Sequence, residues 1–405
     1  MSESLPGERS VNESRPFFLA NLRPAVLSAS ASAHLDLLRT VAAWAVMWGH
    51  LRGLFFLDYQ NLTNTSGPLK LIYFLTGFGH QAVLVFFVLS GFLISSSVWR
   101  NHFSKTWSWG AYAISRGTRL YIVLIPGLIF GALWDSLGLH FFREVGRYAQ
   151  PLVNFNGMIV ANTLTAGTFL GNLLFLQTIF CPTFGSNGPL WSIANEFWYY
   201  LLFPLGLSAS MAFSRKNFGL AFVLALFGLC LSVFLGIDKM LGFLIWLAGF
   251  AVMLACAKLP LRGGALRWFY FVLTSLTLAG FLAAARLERL PPVVSELAVG
   301  LGFSAFLYGF LQLDISIEAR GSYARWLQLF AGFSYSLYVL HFPLLFLLRA
   351  WLVPGQKWVP DGRHLLFGAG IGIFILLFAW LVSLGTERKT GELRKRLQRS
   401  LGMSR

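Results

Sequence analysis

The sequence predicts an all-α, polytopic integral membrane protein with about ten transmembrane helices and both termini in the cytosol. The chain of 405 residues is 56% hydrophobic and only 12% charged, so a soluble fold has too few charges to cover its apolar surface. Apolar runs of about twenty residues recur along the chain, the length that crosses a hydrocarbon core of about 30 Å. Basic residues concentrate in alternate loops, as the positive-inside rule requires. The net charge of +16 is therefore explained by the basic residues of the cytosolic loops, and we expect no nucleic-acid partner.

The predicted spans divide the chain into three parts. Residues 1–33 are rich in Ser, Pro and Arg and contain no apolar segment, so they are predicted to be a disordered cytosolic arm. Residues 34–390 are predicted to form the transmembrane domain, and residues 391–405 a basic cytosolic tail. The segment 139–195 is predicted to face outside and to contain an interfacial helix in its second half. The ten predicted spans are 35–57, 71–98, 118–138, 196–214, 217–236, 239–257, 267–285, 295–313, 328–349 and 364–385.

The first span, "LDLLRTVAAWAVMWGH" (35–50), contains Arg39 and His50. Ionisable side chains inside a span are costly and usually functional. Eleven helical residues make about three turns and rise about 16 Å, so the two side chains share one face. Arg39 alone has a second interpretation, a cytosolic anchor that pairs with Asp36. His50 has no comparable partner nearby, so the pair favours a functional interpretation.

Two further segments add polar residues to the predicted bundle. "SRGTRLYIVLIP" (115–126) places Arg116 and Arg119 one helical turn apart, where both can face one anion or serve only as positive-inside charges. "GHQAVLVFFVLSGFLIS" (79–95) begins with His80, predicted to lie at about the depth of His50. In the same segment Ser90 and Gly91 form a small pair that favours close helix packing over a nucleophilic serine.

The last two segments are "GPLWSIANEFWYYLLFP" (188–204) and "FSYSLYVLHFP" (333–343). In the first, Glu196 enters an apolar helix one turn before Tyr200. The alternative for this segment is a capped helix start with Ser192 as the N-cap. In the second, Tyr338 and His341 are candidate site residues, or they provide polar contacts between helices. The histidines follow no metal-ligand spacing, so no metal is expected.

Taken in order, these segments and the closing "GTER" (385–388) resemble the membrane acyltransferase-3 family, over residues 35 to about 390. The resemblance implies a stand-alone O-acyltransferase of the cell membrane, without the extracellular esterase-like domain of some members. It implies that cytosolic acyl-CoA is the donor substrate and that no cofactor is bound permanently. The acyl group, expected to be acetyl, would pass to a hydroxyl of an extracytoplasmic carbohydrate or glycoconjugate, as in polysaccharide modification of the cell envelope.

The resemblance also implies roles for individual residues. The arginine–ten residues–histidine motif of the family falls on Arg39 and His50, and its pair of basic residues falls on Arg116 and Arg119. The arginines would hold the phosphates of acyl-CoA at the cytosolic side. His50 would meet the thioester and act as general base on the acceptor hydroxyl.

The acid of the family's tryptophan–serine motif falls on Glu196, and its aromatic residue falls on Tyr200. An oxyanion in the transition state needs a hydrogen-bond donor such as Tyr200 or His80. Where the family often has a second acid, this chain has Phe197. The rival hypothesis is a transporter or flippase of a glycan or lipid-linked sugar, which would also place charges inside a helix bundle. The sequence contains no repeat between its halves that favours this alternative.

Overall fold

The protein is described by a computed structural model over residues 29–63, 65–143, 148, 159–313, 326 and 329–403. Every regular element in these ranges is a helix, which confirms the all-α prediction. Most of the predicted arm (1–28) and residues 144–147 and 149–158 of the predicted outer segment lie outside the described residues. The helices are α1 Ala29–Phe55, α2 Gly67–Leu75, α3 Gly79–Phe103, α4 Trp109–Phe142, α5 Val160–Thr163, α6 Ala166–Leu173, α7 Leu190–Ser214, α8 Phe218–Leu235, α9 Ile237–Lys258, α10 Gly264–Arg286, α11 Pro292–Gln312, α12 Ser334–Leu352, α13 Gly362–Gly385 and α14 Thr390–Ser400.

Within the described residues, eight helical segments are long and apolar enough to cross a membrane. The helices α1 and α7, which were among the ten predicted spans, are long enough but too polar to meet that criterion. Their polar residues include Arg39, His50 and Glu196, the residues of greatest functional interest. The count of ten and the cytosolic position of the termini therefore remain predictions.

The predicted span 71–98 lies within one of these eight segments, Gly67–Phe103, but two helices share it. The first of them, α2, begins at an N-cap in which the Ser66 hydroxyl accepts a hydrogen bond from the backbone N–H of Leu69. It ends before Gly77, and α3 begins at Gly79. A Cβ on Gly49 of α1 would lie 3.0 Å from the Thr76 carbonyl oxygen and 3.6 Å from the Gly79 Cα. The break thus lets α1 pack directly against the start of α3.

Glycines also allow α3 and α9 to pack closely. A Cβ on Gly91 would overlap the carbonyl group of Trp246, and a Cβ on Gly249 would lie 2.7 Å from the backbone nitrogen of Phe92. Close approach of two backbones is the expected use of small residues between membrane helices. The prediction of a packing surface at this pair is therefore confirmed for Gly91, whereas Ser90 lines the cavity described below.

Three helices that form the site, α4, α7 and α12, contain an internal proline, and in α7 and α12 the freed backbone carbonyl accepts a hydrogen bond from a side chain. Proline lacks an N–H, so the carbonyl four residues earlier loses its helical partner. In α7, Pro204 frees the carbonyl of Tyr200, which accepts a hydrogen bond from the Tyr112 hydroxyl at 2.9 Å. In α12, Pro343 frees the carbonyl of Val339, which accepts one from a side-chain amide at 3.0 Å. That amide belongs to Asn187, in the segment before α7.

The buried side chains form two hydrophobic clusters. The first includes side chains from α3, α4, α7, α9 and α11, and the second is built mainly from α1, α12 and α13. Phe86 of α3 packs against both clusters. The candidate site lies beside Phe86, between the two clusters.

Candidate active site

A cavity of about 740 Å³, including the space at its mouth, opens between α1, α3, α4, α7 and α12. Its wall combines apolar side chains of α3 with polar and charged side chains of the other four helices. The polar and charged residues that line it are Arg39, Ser90, Arg116, Arg119, Ser192, Glu196, Tyr200, Ser334, Tyr335 and Tyr338. Six of the residues singled out in the sequence therefore share one cavity: Arg39, Arg116, Arg119, Glu196, Tyr200 and Tyr338.

Positive charge dominates the cavity lining. Arg39 pairs with Asp36 at 3.3 Å, but neither Arg116 nor Arg119 forms an ion pair with a carboxylate of the described residues. The Arg116 guanidinium lies over the Tyr112 ring at 5.8 Å, and its Nε has no hydrogen-bond partner in the described part of the chain. Guanidinium groups held in this way can still donate hydrogen bonds to an anionic ligand.

Glu196 is held by two hydroxyl groups. Its Oε1 accepts hydrogen bonds from the Ser90 hydroxyl at 2.9 Å and from the Tyr200 hydroxyl. The indole N–H of Trp246 donates to Ser90 at 3.1 Å. The negative charge of Glu196 also acts on Arg119 and stabilises it inside the cavity. Glu196 is thus fixed in position and offsets part of the arginine charge.

Ser192 is not a helix cap. The N-cap of α7 is Pro189, and its side chain makes no capping hydrogen bond. Ser192 lies in the first turn, where its hydroxyl is 2.6 Å from the hydroxyl of Tyr338. The interpretation of this segment as a capping box is therefore wrong, because Ser192 connects α7 to α12 and Glu196 bonds to other side chains.

His50 does not line the cavity but lies behind its wall. The Nδ1 of His50 is 2.8 Å from the Nε2 of His341, and the two ring planes are within 11° of parallel, with centroids 5.1 Å apart. The His341 ring lies 6.2 Å from the ring of Tyr338, which does line the cavity. The face of α1 that was predicted to carry both side chains thus has Arg39 in the cavity wall and His50 against a histidine of α12.

A second carboxylate, which the sequence analysis did not single out, supports the start of α12. Glu387, in the "GTER" segment, accepts hydrogen bonds from the backbone N–H and the hydroxyl of Ser336, at 2.8 and 2.9 Å. Its charge acts on both Arg39 and Arg119. A carboxylate at a helix N-terminus is favourable because the first N–H groups are unpaired within the helix. The sequence does contain a signal for Glu387, because this acid follows the last apolar run of the chain.

His80 is separate from the other candidates. Its Nε2 lies 2.8 Å from Glu296 Oε1, in a pair that is largely exposed. His80 follows Gly79, which packs against Ala45 and Val46 of α1. It does not line the cavity, so nothing places it beside the reacting groups.

The fold and the cavity define a helical membrane protein with a basic site inside its helix bundle. A family model described as "Acyltransferase domain" (acyltransferase-3) matches residues 32–384. Because the match covers most of the chain, the chain belongs to the acyltransferase-3 family, and the protein is an acyltransferase. None of the curated proteins and none of the solved structures with which the chain was compared matches it. The family match confirms the resemblance seen in the sequence and gives no support to the transporter alternative.

Proposed function

We propose that the protein is a membrane O-acyltransferase that moves an acyl group, in the simplest case acetyl, from acyl-CoA to a hydroxyl of an extracytoplasmic carbohydrate. The observation that carries the proposal is the arrangement of the cavity. Three arginines line it, and a pair of histidines lies behind its wall at Tyr338. Such an arrangement suits a donor with a polyanionic end and a reactive end.

The arginines are the proposed contacts of the donor phosphates. Arg39 pairs with Asp36. The charges of Glu196 and Glu387 act on Arg119. No carboxylate of the described residues pairs with Arg116, so an anionic ligand can bind its guanidinium without displacing an acid. Phosphate groups accept paired hydrogen bonds from guanidinium groups. We infer that the nucleotide end of acyl-CoA binds at the cytosolic mouth, and that its acyl end reaches towards the histidine pair.

His50 is the proposed general base. In the reaction, the acceptor oxygen forms a bond to the thioester carbonyl carbon while His50 takes the hydroxyl proton. The carbon–sulfur bond then breaks, and the protonated His50 returns its proton to the leaving thiolate of coenzyme A. Histidine suits both steps because its ordinary pKa lies near neutral pH.

The oxyanion needs a donor other than Tyr200. The Tyr200 hydroxyl already donates to Glu196, so it has no proton left to offer, and His80 does not line the cavity. The Tyr338 hydroxyl lies in the cavity wall on the helix that carries His341, 2.6 Å from the Ser192 hydroxyl and 3.3 Å from the Pro189 carbonyl oxygen. These two partners are neutral, whereas Tyr200 donates to a carboxylate, and hydrogen bonds to charged groups are the stronger ones. We therefore propose Tyr338 as the donor, which would exchange its present partner for the developing negative charge.

Transfer of label tests the proposal. Purified protein in proteoliposomes would receive radiolabelled acetyl-CoA on the side of the tail and a panel of oligosaccharides on the other side. We expect label on a carbohydrate hydroxyl. In His50→Ala, turnover should fall by about 10²- to 10⁴-fold, the usual contribution of a positioned base. His50→Gln should be equally impaired, because an amide cannot accept the proton. The control is His140→Gln, at an exposed position at the end of α4.

Two results would contradict the proposal. Carbohydrate that crosses the bilayer without gaining label would indicate transport. Near-normal transfer by a well-folded His50→Gln protein would remove His50 from the chemistry.

A further inference from the structure

The hydrogen bonds around His341 have a fixed direction. Its Nδ1 lies 2.9 Å from the backbone carbonyl oxygen of Leu337. A carbonyl oxygen only accepts hydrogen bonds, so Nδ1 of His341 must carry a proton and donate it. In a neutral imidazole the other nitrogen, Nε2, then has a lone pair and accepts. His341 is therefore an acceptor towards any group that approaches its Nε2.

The group that approaches is Nδ1 of His50, at 2.8 Å. Because Nε2 of His341 accepts, Nδ1 of His50 must donate, and this fixes the proton of His50 on Nδ1. Its Nε2 is then left with the lone pair. No hydrogen bond from the described residues reaches this Nε2, and the atom is not among the buried unpaired ones, so its lone pair has no protein partner in this part of the chain.

We propose that His341 is a positioning residue that holds His50 in the tautomer protonated on Nδ1, so that Nε2 of His50 faces the acceptor hydroxyl as the base. The catalytic part of this inference rests on the proposed function, whereas the tautomer itself does not. The Leu337 carbonyl orients His341, and His341 in turn orients His50. A series of this kind, in which one group fixes the proton of the next, is how an acid–base histidine is set for its task.

The surroundings of the pair favour one stable arrangement. His341 is fully buried, and its ring plane lies within 11° of the His50 ring plane. The Phe342 ring meets the His50 ring edge-on, with centroids 4.9 Å apart. None of the described ion pairs includes either histidine, so no carboxylate competes with His341 for the Nδ1 proton of His50.

Two substitutions at position 341 separate positioning from proton transfer. Glutamine can accept from His50 through its side-chain oxygen and donate to the Leu337 carbonyl through its nitrogen. His341→Gln should therefore keep turnover within about tenfold of the wild type, at an unchanged KM for acyl-CoA. Leucine can do neither, and His341→Leu should lose about 10- to 100-fold in turnover, the usual effect of removing a group that orients a functional histidine. His140→Gln is again the control.

The tautomer can be observed without any activity measurement. The protein contains seven histidines, so solid-state NMR of bilayers that hold ¹⁵N-histidine-labelled protein should resolve them, and the spectrum of His50→Gln identifies the His50 signals. We expect His50 to be protonated on Nδ1 in the wild type and in His341→Gln. In His341→Leu we expect the proton to move towards Nε2, with the other histidine signals unchanged.

The outcomes are distinct. A wild-type His50 that is protonated on Nε2, or on both nitrogens, overturns the inference. A His341→Gln protein that keeps the tautomer but is as inactive as His50→Gln also overturns it, because His341 would then transfer the proton itself. If the tautomer is as expected but the wild type transfers no acyl group, the proposed function fails and the positioning of His50 stands.

Discussion

Replacing Gly91 with alanine tests the tight contact between α3 and α9. The new Cβ would overlap the carbonyl oxygen of Trp246 and lie 2.8 Å from its carbonyl carbon, where carbon atoms in contact are about 3.5 to 4.0 Å apart. Because the overlap with the oxygen is larger than that with the carbon, the helices would have to separate by more than about 1 Å. Overpacking of this kind costs about 1 to 3 kcal/mol, and we expect the upper half of that range because the opposing atoms belong to backbone.

The matched control is Gly206→Ala in α7, where an added Cβ meets nothing within 4 Å. Both changes gain the same helix propensity, about 1 kcal/mol, so the difference between the two variants isolates the steric cost. The free energy of unfolding would be measured by denaturation in mixed micelles, followed by circular dichroism. Equal stability of Gly91→Ala and Gly206→Ala would refute the close backbone contact.

Three further predictions concern the donor site, the α12 helix and the topology. Arg116→Ala should raise the KM for acyl-CoA by about tenfold or more with little change in turnover, because a charge-assisted phosphate contact is lost in ground state and transition state alike. Asn187→Ala should lower the free energy of unfolding by about 1 to 2 kcal/mol, because the Val339 carbonyl loses its partner. In a variant without native cysteines, Phe180→Cys should react with an impermeant maleimide from outside, and Lys395→Cys only after the cytosolic side is opened.

Each of these predictions has a control or a contradicting result. Arg100→Ala, at an exposed site at the end of α3, should leave the donor KM unchanged, and a collapse in turnover at constant KM would exclude a binding role for Arg116. Asn162→Ala, also exposed, should leave stability unchanged. Labelling of Phe180→Cys only after opening of the cytosolic side would reverse the topology and move the proposed donor site to the outside.

Periodicity and composition were sufficient to predict the helices, because each apolar run stabilises its own helix in a membrane. Two of the ten predicted spans, α1 and α7, contain polar residues that bond to other helices, as His50 and Ser192 do, and they are less apolar than the eight segments that meet the criterion. The break between α2 and α3 was missed because Thr76 and Gly77 lie within a continuous apolar pattern. The break is explained by the contact of Gly49 of α1 with Thr76 and Gly79, which the sequence pattern does not show.

The site was predictable in part. Arg39, Arg116 and Arg119 were found because charges inside apolar runs are conspicuous, and all three line one cavity. The contact of His50 with His341 was not found, since the two residues are 291 positions apart. Nothing in local spacing encodes such a pair. The contact of Glu196 with Ser90, 106 positions apart, was missed for the same reason.

The freed carbonyl in α12 has a consequence for how the sequence can change. Asn187 is useful only because Pro343 cannot donate to the Val339 carbonyl. If Pro343 became alanine, the helix would regain its own N–H donor for that carbonyl, and the amide of Asn187 would lose its acceptor. The two positions should therefore be energetically coupled by about 1 kcal/mol or more in a double-mutant cycle. Once one of the two residues is replaced, replacing the other costs less stability. Substitutions at 187 and 343 are therefore expected to accumulate together.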